Sequence, residues 1–184
     1  CIHPEQPHRR FLRIGCKGSL NQPCIVISQN LEILLVKLHL AELSRVPVTG
    51  KGKIKFDRSA NLAIYTDYEL HGRRFRVYNC HFESYNISLT GIIRAMFNAD
   101  SAVFSETGTK MKRSITRRPK QVDQVFSDIE NCPVEAFVCG DFNDNPMSYS
   151  YFRMTRGRKD AFVEAGEGFG ATFARLWPML RIDY

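Results

Sequence analysis

Apolar and polar positions alternate in two short runs near the middle of the chain. Residues 62–66 have the apolar and β-branched composition of a strand, and residues 74–81 alternate as a half-buried strand does. His71 and Gly72 lie between the runs and favour a tight turn. The pattern therefore predicts a β-hairpin whose second strand ends at Asn79 and His81.

Apolar positions recur at helical spacing in two later segments. The first comprises Ile92, Ile93, Met96 and Phe97, and the second comprises Val122, Val125, Phe126 and Ile129. Pro119 suits the first turn of the second helix, because a proline there gives up no hydrogen bond. We therefore expect two helices joined by a basic linker over residues 110–120.

A short apolar run over residues 134–140 has the character of a buried strand. It leads directly into a polar turn at residues 140–144, which read Gly-Asp-Phe-Asn-Asp. Together with the hairpin and the helices, this strand predicts a layered α/β domain.

The first 43 residues differ in pattern from the rest of the chain. Residues 1–24 scatter Pro, Gly, Cys and Arg without a period, whereas residues 31–43 have apolar positions on most faces of a short predicted helix. The change falls near Ser44. We therefore predict a divergent or non-native segment over residues 1–43 and a domain over residues 44–184.

The length of 184 residues, 43% of them hydrophobic, suits one domain or part of one. No uninterrupted apolar window reaches the length of about 18 residues that a membrane-spanning helix needs, so we expect no transmembrane segment. The chain begins with Cys1 and lacks the order of a signal peptide, which leaves its localisation open.

The six cysteines form no CxxC pair and no spacing that would close a zinc site. Cys80 and Cys139 lie inside predicted strands, where cysteine behaves as a small apolar residue. We expect both to be buried free thiols.

An excess of 26 Lys and Arg over 19 Asp and Glu gives the chain a formal charge of +7, which favours polyanionic partners such as nucleic acid. Residues 110–120 concentrate six cations and no acid: Lys110, Lys112, Arg113, Arg117, Arg118 and Lys120. This segment is either a solvated linker or a phosphate-binding surface in which Arg117 and Arg118 contact substrate.

The polar turn after the last strand has the residue types that phosphate-ester hydrolysis needs. That reaction requires an aligned water, stabilised phosphate charge and usually a divalent cation held by carboxylates. In an extended segment Asp141 and Asn143 lie on one side, while Phe142 turns to the core. Hard oxygen ligands suit Mg²⁺ or Mn²⁺, so Asp141 is a candidate metal ligand. The alternative is an ordinary turn, because Asp and Asn before Pro146 are common turn residues.

Three motifs occur in the order that characterises one family: Asn79-Cys80-His81, Gly140-Asp141-Phe142-Asn143 and Arg181-Ile182-Asp183. With them, residues 44–184 resemble the endonuclease/exonuclease/phosphatase superfamily, in particular its uncharacterised bacterial members. This superfamily includes pancreatic deoxyribonuclease and neutral sphingomyelinases. The resemblance implies a four-layer α/β sandwich of two packed sheets flanked by helices.

The resemblance also implies roles for the motif residues. Asp141 aligns or deprotonates the attacking water, and Asn143 holds the phosphate or that water. His81 contacts the phosphate, with Asn79 among the substrate-binding residues, while Asp183 orients a histidine. The implied activity is Mg²⁺- or Mn²⁺-dependent hydrolysis of phosphodiester or phosphomonoester bonds, and a nuclease is among the candidates.

Two elements of the family pattern have no counterpart in this sequence. The metal-binding Gln-Glu pair of the N-terminal third is missing, and the chain ends before the Ser-Asp-His that supplies the last carboxylate and imidazole. We therefore expect a piece of a longer protein that is itself weakly active or inactive. The competing hypothesis is a non-catalytic phosphate- or nucleic-acid-binding remnant of the same fold.

Overall fold

The computed structural model describes residues 32–36, 40–85, 101–173 and 180–184. Regular elements account for most of these residues. The strands are β1 (Glu32–Val36), β2 (Leu40–Ser44), β3 (Val48–Lys55), β4 (Leu62–Leu70), β5 (Arg73–His81) and β6 (Glu135–Asp141). The helices are α1 (Ser101–Glu130), α2 (Tyr149–Thr155) and α3 (Ala161–Ala165).

A four-stranded mixed sheet in the order β3-β4-β5-β6 forms the centre of the domain. The β3/β4 and β4/β5 pairs are antiparallel, whereas β5 and β6 run parallel. The chain passes from β5 to β6 by way of α1, as parallel neighbours require. The predicted α/β class is therefore confirmed. The four-layer sandwich stays a prediction, because the only other sheet in the described ranges is the two-stranded β1-β2 pair.

The predicted hairpin and its turn are confirmed. β4 and β5 pair with Leu70 opposite Arg73, which leaves His71 and Gly72 as a two-residue loop. Both loop residues have positive φ, at 53° and 75°. Positive φ at both central positions matches the twist of the flanking strands, and Gly72 adopts it without steric cost.

The helix predicted around Val122 to Ile129 is confirmed, but it begins much earlier than expected. Residues 110–120 were predicted to be a linker, and this prediction is wrong because they lie inside the 30-residue helix α1. Pro119 is accordingly an interior residue and not a first-turn one. An interior proline costs a helix about 3 kcal/mol, and buried side chains on both sides of it, Arg118 and Val122, offset that cost.

The hydrophobic core lies between α1 and one face of the sheet. The C-terminal half of α1 contributes Val122, Val125, Phe126 and Ile129, all at most 3% exposed. They join a cluster with the β5 residues Tyr78 and Cys80 and with Phe82, Phe142, Met154 and others from the sheet and α2. Alternation along β5 and β6 therefore turns the residues between these core positions to the opposite face.

That opposite face is partly covered by β2. Leu40 packs with Leu62 and Ile64 of β4. The carboxylate of Glu42 accepts hydrogen bonds from the hydroxyls of Thr66 and Tyr68, both at 2.6 Å. The strand β2 is therefore fastened to the sheet by apolar and polar contacts together.

The helix predicted over residues 31–43 is wrong. Residues 32–36 and 40–44 instead form the antiparallel strands β1 and β2, with Val36 opposite Leu40. A short apolar run on every face does not distinguish a helix from a buried strand, and the contacts of β2 with the sheet decide between them here.

Cys80 and Cys139 are buried thiols that form no disulfide among the described residues, as predicted. Cys1, Cys16, Cys24 and the helix expected around Ile92 to Phe97 lie outside the described residues. Among the described residues, no helix combines the length and apolar character needed to cross a membrane.

Candidate active site

The parallel strands β5 and β6 end side by side and bring three predicted site residues into one row. His81 is the register partner of Asp141. On the other side of β6, Asp141 forms an antiparallel bridge with Asp183. Directly paired residues point to the same face of a sheet, so the three side chains share a face. Because their neighbours Phe82 and Phe142 pack under α1, the row lies on the face opposite that helix.

Gly140 allows β6 to approach the end of β5 closely. Its φ is +135°, a value that L side chains rarely adopt, and an added Cβ would overlap the backbone of Cys80. Its backbone also exchanges two hydrogen bonds with Tyr184, at 2.9 and 3.0 Å. The glycine therefore joins β5, β6 and the C-terminal segment just before Asp141.

The turn after β6 differs from the extended arrangement predicted for Asp141 and Asn143. The strand ends at Asp141, and Asn143 has a φ of 51° in the left-handed region, which asparagine tolerates. The Asn143 N–H donates to Oδ1 of Asp141 at 2.8 Å, and its Nδ2 donates to the carbonyl oxygen of Phe82 at 2.9 Å. Phe142 is 3% exposed, so its predicted place in the core is confirmed. The turn thus ties Asn143 to both strand ends.

Two carboxylates of the row are destabilised as anions. Burial raises the pKa of Asp141 to about 6, the Asn143 N–H opposes this rise, and the charge of Asp183 adds to it. Burial also raises the pKa of Asp183, against the opposing effects of the Thr172 hydroxyl and His81. Raised carboxyl pKa values from burial and a like charge are characteristic of functional sites.

The C-terminal segment is fastened by Asp160 and Arg181. The Arg181 guanidinium makes two hydrogen bonds to the Asp160 carboxylate, at 2.7 and 2.8 Å. Asp160 also caps α3, accepting the backbone N–H groups of Phe162 and Val163. Arg181, two residues before Asp183, therefore pairs with Asp160 and not with Asp183. This pair holds the segment that carries Asp183.

Asn79 lies on β5 two residues before His81, on the same face, and is 3% exposed. Its predicted contact with substrate stays a prediction. Beside Asp183 there is a cavity of about 430 Å³, lined among others by Phe162, Gly170 and Thr172. This cavity provides space next to the row for part of a ligand.

The cations of residues 110–120 have different surroundings. Lys112 and Lys120 are exposed, and Arg113 lies 3.1 Å from the Glu83 carboxylate. Arg117 donates to the carbonyl oxygen of Arg58 at 2.9 Å, with its side chain 31% exposed. Arg118 is 2% exposed and pairs with Asp144 at 3.0 Å. The substrate contacts predicted for Arg117 and Arg118 stay predictions.

The sequence did not single out Ser114 or Gln121, which form with Arg118 a polar stripe on α1 that binds the backbone after β5. Ser114 donates to the carbonyl oxygen of Ser84 at 2.7 Å. Arg118 donates to the carbonyl oxygen of Glu83 at 2.8 Å, and the side-chain oxygen of Gln121 accepts the Glu83 N–H at 2.8 Å. The spacing 114, 118, 121 continues the buried apolar stripe at Val125. That continuity is the signal in the sequence that could have identified them.

The donor types in the row suit a hard divalent cation, since carboxylate oxygens are the ligands that Mg²⁺ prefers. Nevertheless, in the part of the chain that the structure describes, no three His, Cys, Asp or Glu side chains are grouped to hold a metal ion. The row therefore fits one edge of a metal site, with Asp141 as its candidate ligand.

The chain matches one known family and is similar to several solved structures. Residues 40–184 match the model of the Endonuclease/Exonuclease/phosphatase family. The human Nocturnin catalytic domain has a similar structure, with a TM-score of 0.50 and 15% identity over 78% of this chain and 49% of that one. No curated protein matches the sequence.

Two bacterial structures align less closely. Sphingomyelinase C from Streptomyces griseocarneus gives a TM-score of 0.44 and 20% identity over 65% of this chain and 38% of that one. A beta toxin variant from Staphylococcus aureus with bound magnesium ions gives a TM-score of 0.42 and 19% identity over 65% of this chain and 38% of that one. This chain thus spans less than half the length of the structures it matches.

Proposed function

The chain belongs to the endonuclease/exonuclease/phosphatase family, and from this premise we propose that it carries the water-activating part of a phosphoesterase site. The reaction is hydrolysis of a phosphodiester or phosphomonoester by in-line attack of water. The observation that carries the proposal is the row of His81, Asp141 and Asp183 across three adjacent chain segments.

Asp141 is the residue that orients the attacking water and accepts its proton. Its carboxylate is fixed through Oδ1 by the Asn143 N–H, which leaves Oδ2 for the water. Burial and the nearby Asp183 raise its pKa to about 6. A base with a pKa near the working pH combines a deprotonated ground state with useful basicity.

His81 and Asn143 flank Asp141 and supply polar contacts to the phosphate. His81 is the direct neighbour of Asp141 in the sheet. Asn143 is held by its bond to Phe82, so its side-chain amide is oriented before substrate binds. His81 lies close enough to Asp183 to lower the pKa of that carboxyl against the larger effect of burial, which supports a role for Asp183 in orienting the imidazole.

Asp141 would also be the residue that holds a divalent cation at this edge of the row. When bound, Mg²⁺ or Mn²⁺ neutralises charge on the phosphate oxygens. The part of the chain that the structure describes contains no group of three His, Cys, Asp or Glu side chains that could hold such an ion.

The competing hypothesis, a non-catalytic phosphate-binding remnant, predicts binding without turnover. The test is hydrolysis of bis(p-nitrophenyl) phosphate by the product of the complete gene, with Mn²⁺ and then with excess chelator. Turnover that the chelator abolishes supports the hydrolase. Mn²⁺-dependent phosphate binding with no turnover of this ester, of phosphomonoesters or of plasmid DNA would support the remnant.

A further inference from the structure

Arg118 is buried inside the domain, and its guanidinium links two segments that come from different strands. The side chain is 2% exposed. Nε donates to the carbonyl oxygen of Glu83, 2.8 Å away, and Nη1 lies 3.0 Å from the Asp144 carboxylate. Glu83 follows His81 by two residues, and Asp144 follows Asp141 by three. One planar group therefore spans the ends of both strands that carry the row.

Gln121 completes this link one helical turn later. Its side-chain oxygen accepts the N–H of Glu83, whose carbonyl already binds Arg118. Both backbone polar groups of Glu83 are thus satisfied by side chains of α1. The backbone just after His81 cannot shift along the sheet without breaking these bonds.

Asp144 is equally fixed at the other end of the link. Its Oδ2 accepts the Ser150 hydroxyl at 2.8 Å, and its carbonyl oxygen accepts the Tyr184 hydroxyl at 3.2 Å. Ser150 is buried in α2. The turn that carries Asn143 therefore has contacts with α1, α2 and the C-terminal segment at a single residue.

Burying a guanidinium is costly, and stability alone does not account for it. A well-packed apolar side chain at such a position is often as stabilising or more so. Nη2 of Arg118 moreover has no hydrogen-bond partner among the described residues. An apolar residue would lack the planar guanidinium, whose separate nitrogens bind a carbonyl oxygen and a carboxylate at a fixed separation.

We propose that Arg118 is a positioning residue, assisted by Gln121, which sets the distance between the His81 strand end and the Asp141 turn. This inference rests on the proposed phosphoesterase function and gives Arg118 a role other than contact with substrate. Reaction rates depend steeply on such distances, since a misplacement of about 1 Å can cost about 100-fold in rate.

The test compares Arg118→Lys with Arg153→Lys in the product of the complete gene. Arg153 has the same kinds of contact away from the row: Nε lies 3.1 Å from the Asp123 carboxylate, and its guanidinium lies 3.7 Å above the Phe126 ring. Arg118 likewise lies 4.2 Å above the Tyr85 ring. A lysine reaches one of the two partners of Arg118 but not both, because its charge sits on a single nitrogen.

We expect Arg118→Lys to lower kcat by about 100-fold with little change in KM, at a temperature where circular dichroism shows the variant folded. Arg153→Lys should leave kcat near the parental value even where it lowers Tm. Gln121→Met retains side-chain length and removes only the bonds to Glu83, so it serves as a milder variant should Arg118→Lys unfold. We expect it to lower kcat by about 10-fold.

Parental kcat in folded Arg118→Lys, or in Gln121→Met if only that variant folds, would overturn the positioning role and leave the proposed function intact. A change confined to KM would return Arg118 to substrate contact. Absence of turnover in the unsubstituted protein would overturn the proposed function itself, and the positioning role with it.

Discussion

Asp141 and Asp160 are both shielded carboxylates, yet their surroundings shift their pKa values in opposite directions. Burial would raise the pKa of Asp160, but hydrogen bonds from Arg181, Tyr151 and the Phe162 N–H outweigh it, so that pKa is lowered. Asp141 receives one backbone N–H and lies near a second carboxylate, so burial dominates and its pKa rises to about 6.

The difference separates a structural charge from a reactive one. A buried carboxylate with a full set of donors stabilises the fold only as an anion, and losing its charge leaves the partner cation unpaired. A carboxylate without such donors costs stability as an anion and is retained where chemistry uses it. By this criterion Asp160 holds the C-terminal segment, and the surroundings of Asp141 support its proposed role in the reaction.

The largest expected effect is that of Asp141→Asn on turnover. The change preserves volume but removes the group that accepts the proton, so the rate should fall by about 100-fold to 10,000-fold. Substrate affinity should change little, because the loss falls on the transition state. Steady-state hydrolysis of bis(p-nitrophenyl) phosphate by the complete gene product measures both.

Asp57→Asn is the control, since the Asp57 side chain is 92% exposed and its carboxylate lies 3.7 Å from Nε of Arg58. Asp144 and Asp160 are unsuitable as controls, because each carboxylate has a largely buried arginine partner. The first is bound to Arg118 and the second to Arg181. Equal rates for Asp141→Asn and Asp57→Asn would refute the catalytic role of Asp141.

The second largest effect is that of Asp160→Asn on stability. The Asp160 and Arg181 side chains are 7% and 11% exposed, so the substitution leaves a nearly buried guanidinium without its anion. We expect the free energy of unfolding to fall by about 3 kcal/mol. Urea denaturation of this chain measures it, and an unchanged midpoint would contradict the structural role.

The two carboxylates should also give stability opposite dependences on pH in the presence of chelator. The pKa of Asp160 is lowered in the fold, so its contribution is present above the unfolded pKa of about 3.9 and lost as pH falls through the lower folded value. Asp141 has a folded pKa of about 6. Its anion therefore costs stability above pH 6, and that cost disappears as pH falls below the unfolded value.

Asp141→Asn removes this cost, so it should raise Tm at pH 8 and have little effect near pH 4. Asp160→Asn should lower Tm at pH 8 and do so less at lower pH. Thermal unfolding of both variants at the two pH values checks the signs. The same sign for both variants at pH 8 would remove the distinction between the two residues.

The smallest expected effect is that of Arg117→Ala on the salt dependence of DNA binding. The Arg117 side chain is more exposed than that of Asp160. If its partly exposed guanidinium contacts phosphate, Arg117→Ala should reduce the slope of log affinity for duplex DNA against log salt by about 0.9. Arg118 is left unchanged because it is buried. An identical slope in the variant would limit Arg117 to its contacts within the domain, with the Arg58 carbonyl and the Glu83 carboxylate.

The sequence predicted those parts of the structure that depend on neighbouring residues. The turn at His71 and Gly72 follows from residue types that accept positive φ, and the buried thiols of Cys80 and Cys139 follow from alternation within strands. The strand before Asp141 could be recognised from the short apolar run over residues 134–140. The order of the motifs was enough to identify the family.

Features that depend on distant contacts could not be predicted in this way. Residues 110–120 have few apolar side chains, so hydrophobic periodicity does not mark them as helical. Their buried positions bind the backbone of Glu83 and Ser84, which are 30 to 35 residues away in sequence. The pairing of Arg181 with Asp160 is likewise a contact between segments, since the two residues are 21 positions apart in sequence.

The most direct test of the contrast between Asp141 and Asp160 is a ¹³C NMR titration of the side-chain carboxyl groups of this chain in the presence of chelator. We expect Asp141 to titrate near pH 6 and Asp160 to titrate below the ordinary range of aspartate. In Asp183→Asn the midpoint of Asp141 should move downward, because a neighbouring negative charge has been removed. Titration of both residues at or below about pH 4 would contradict the claim that burial outweighs the hydrogen bond from Asn143 at Asp141.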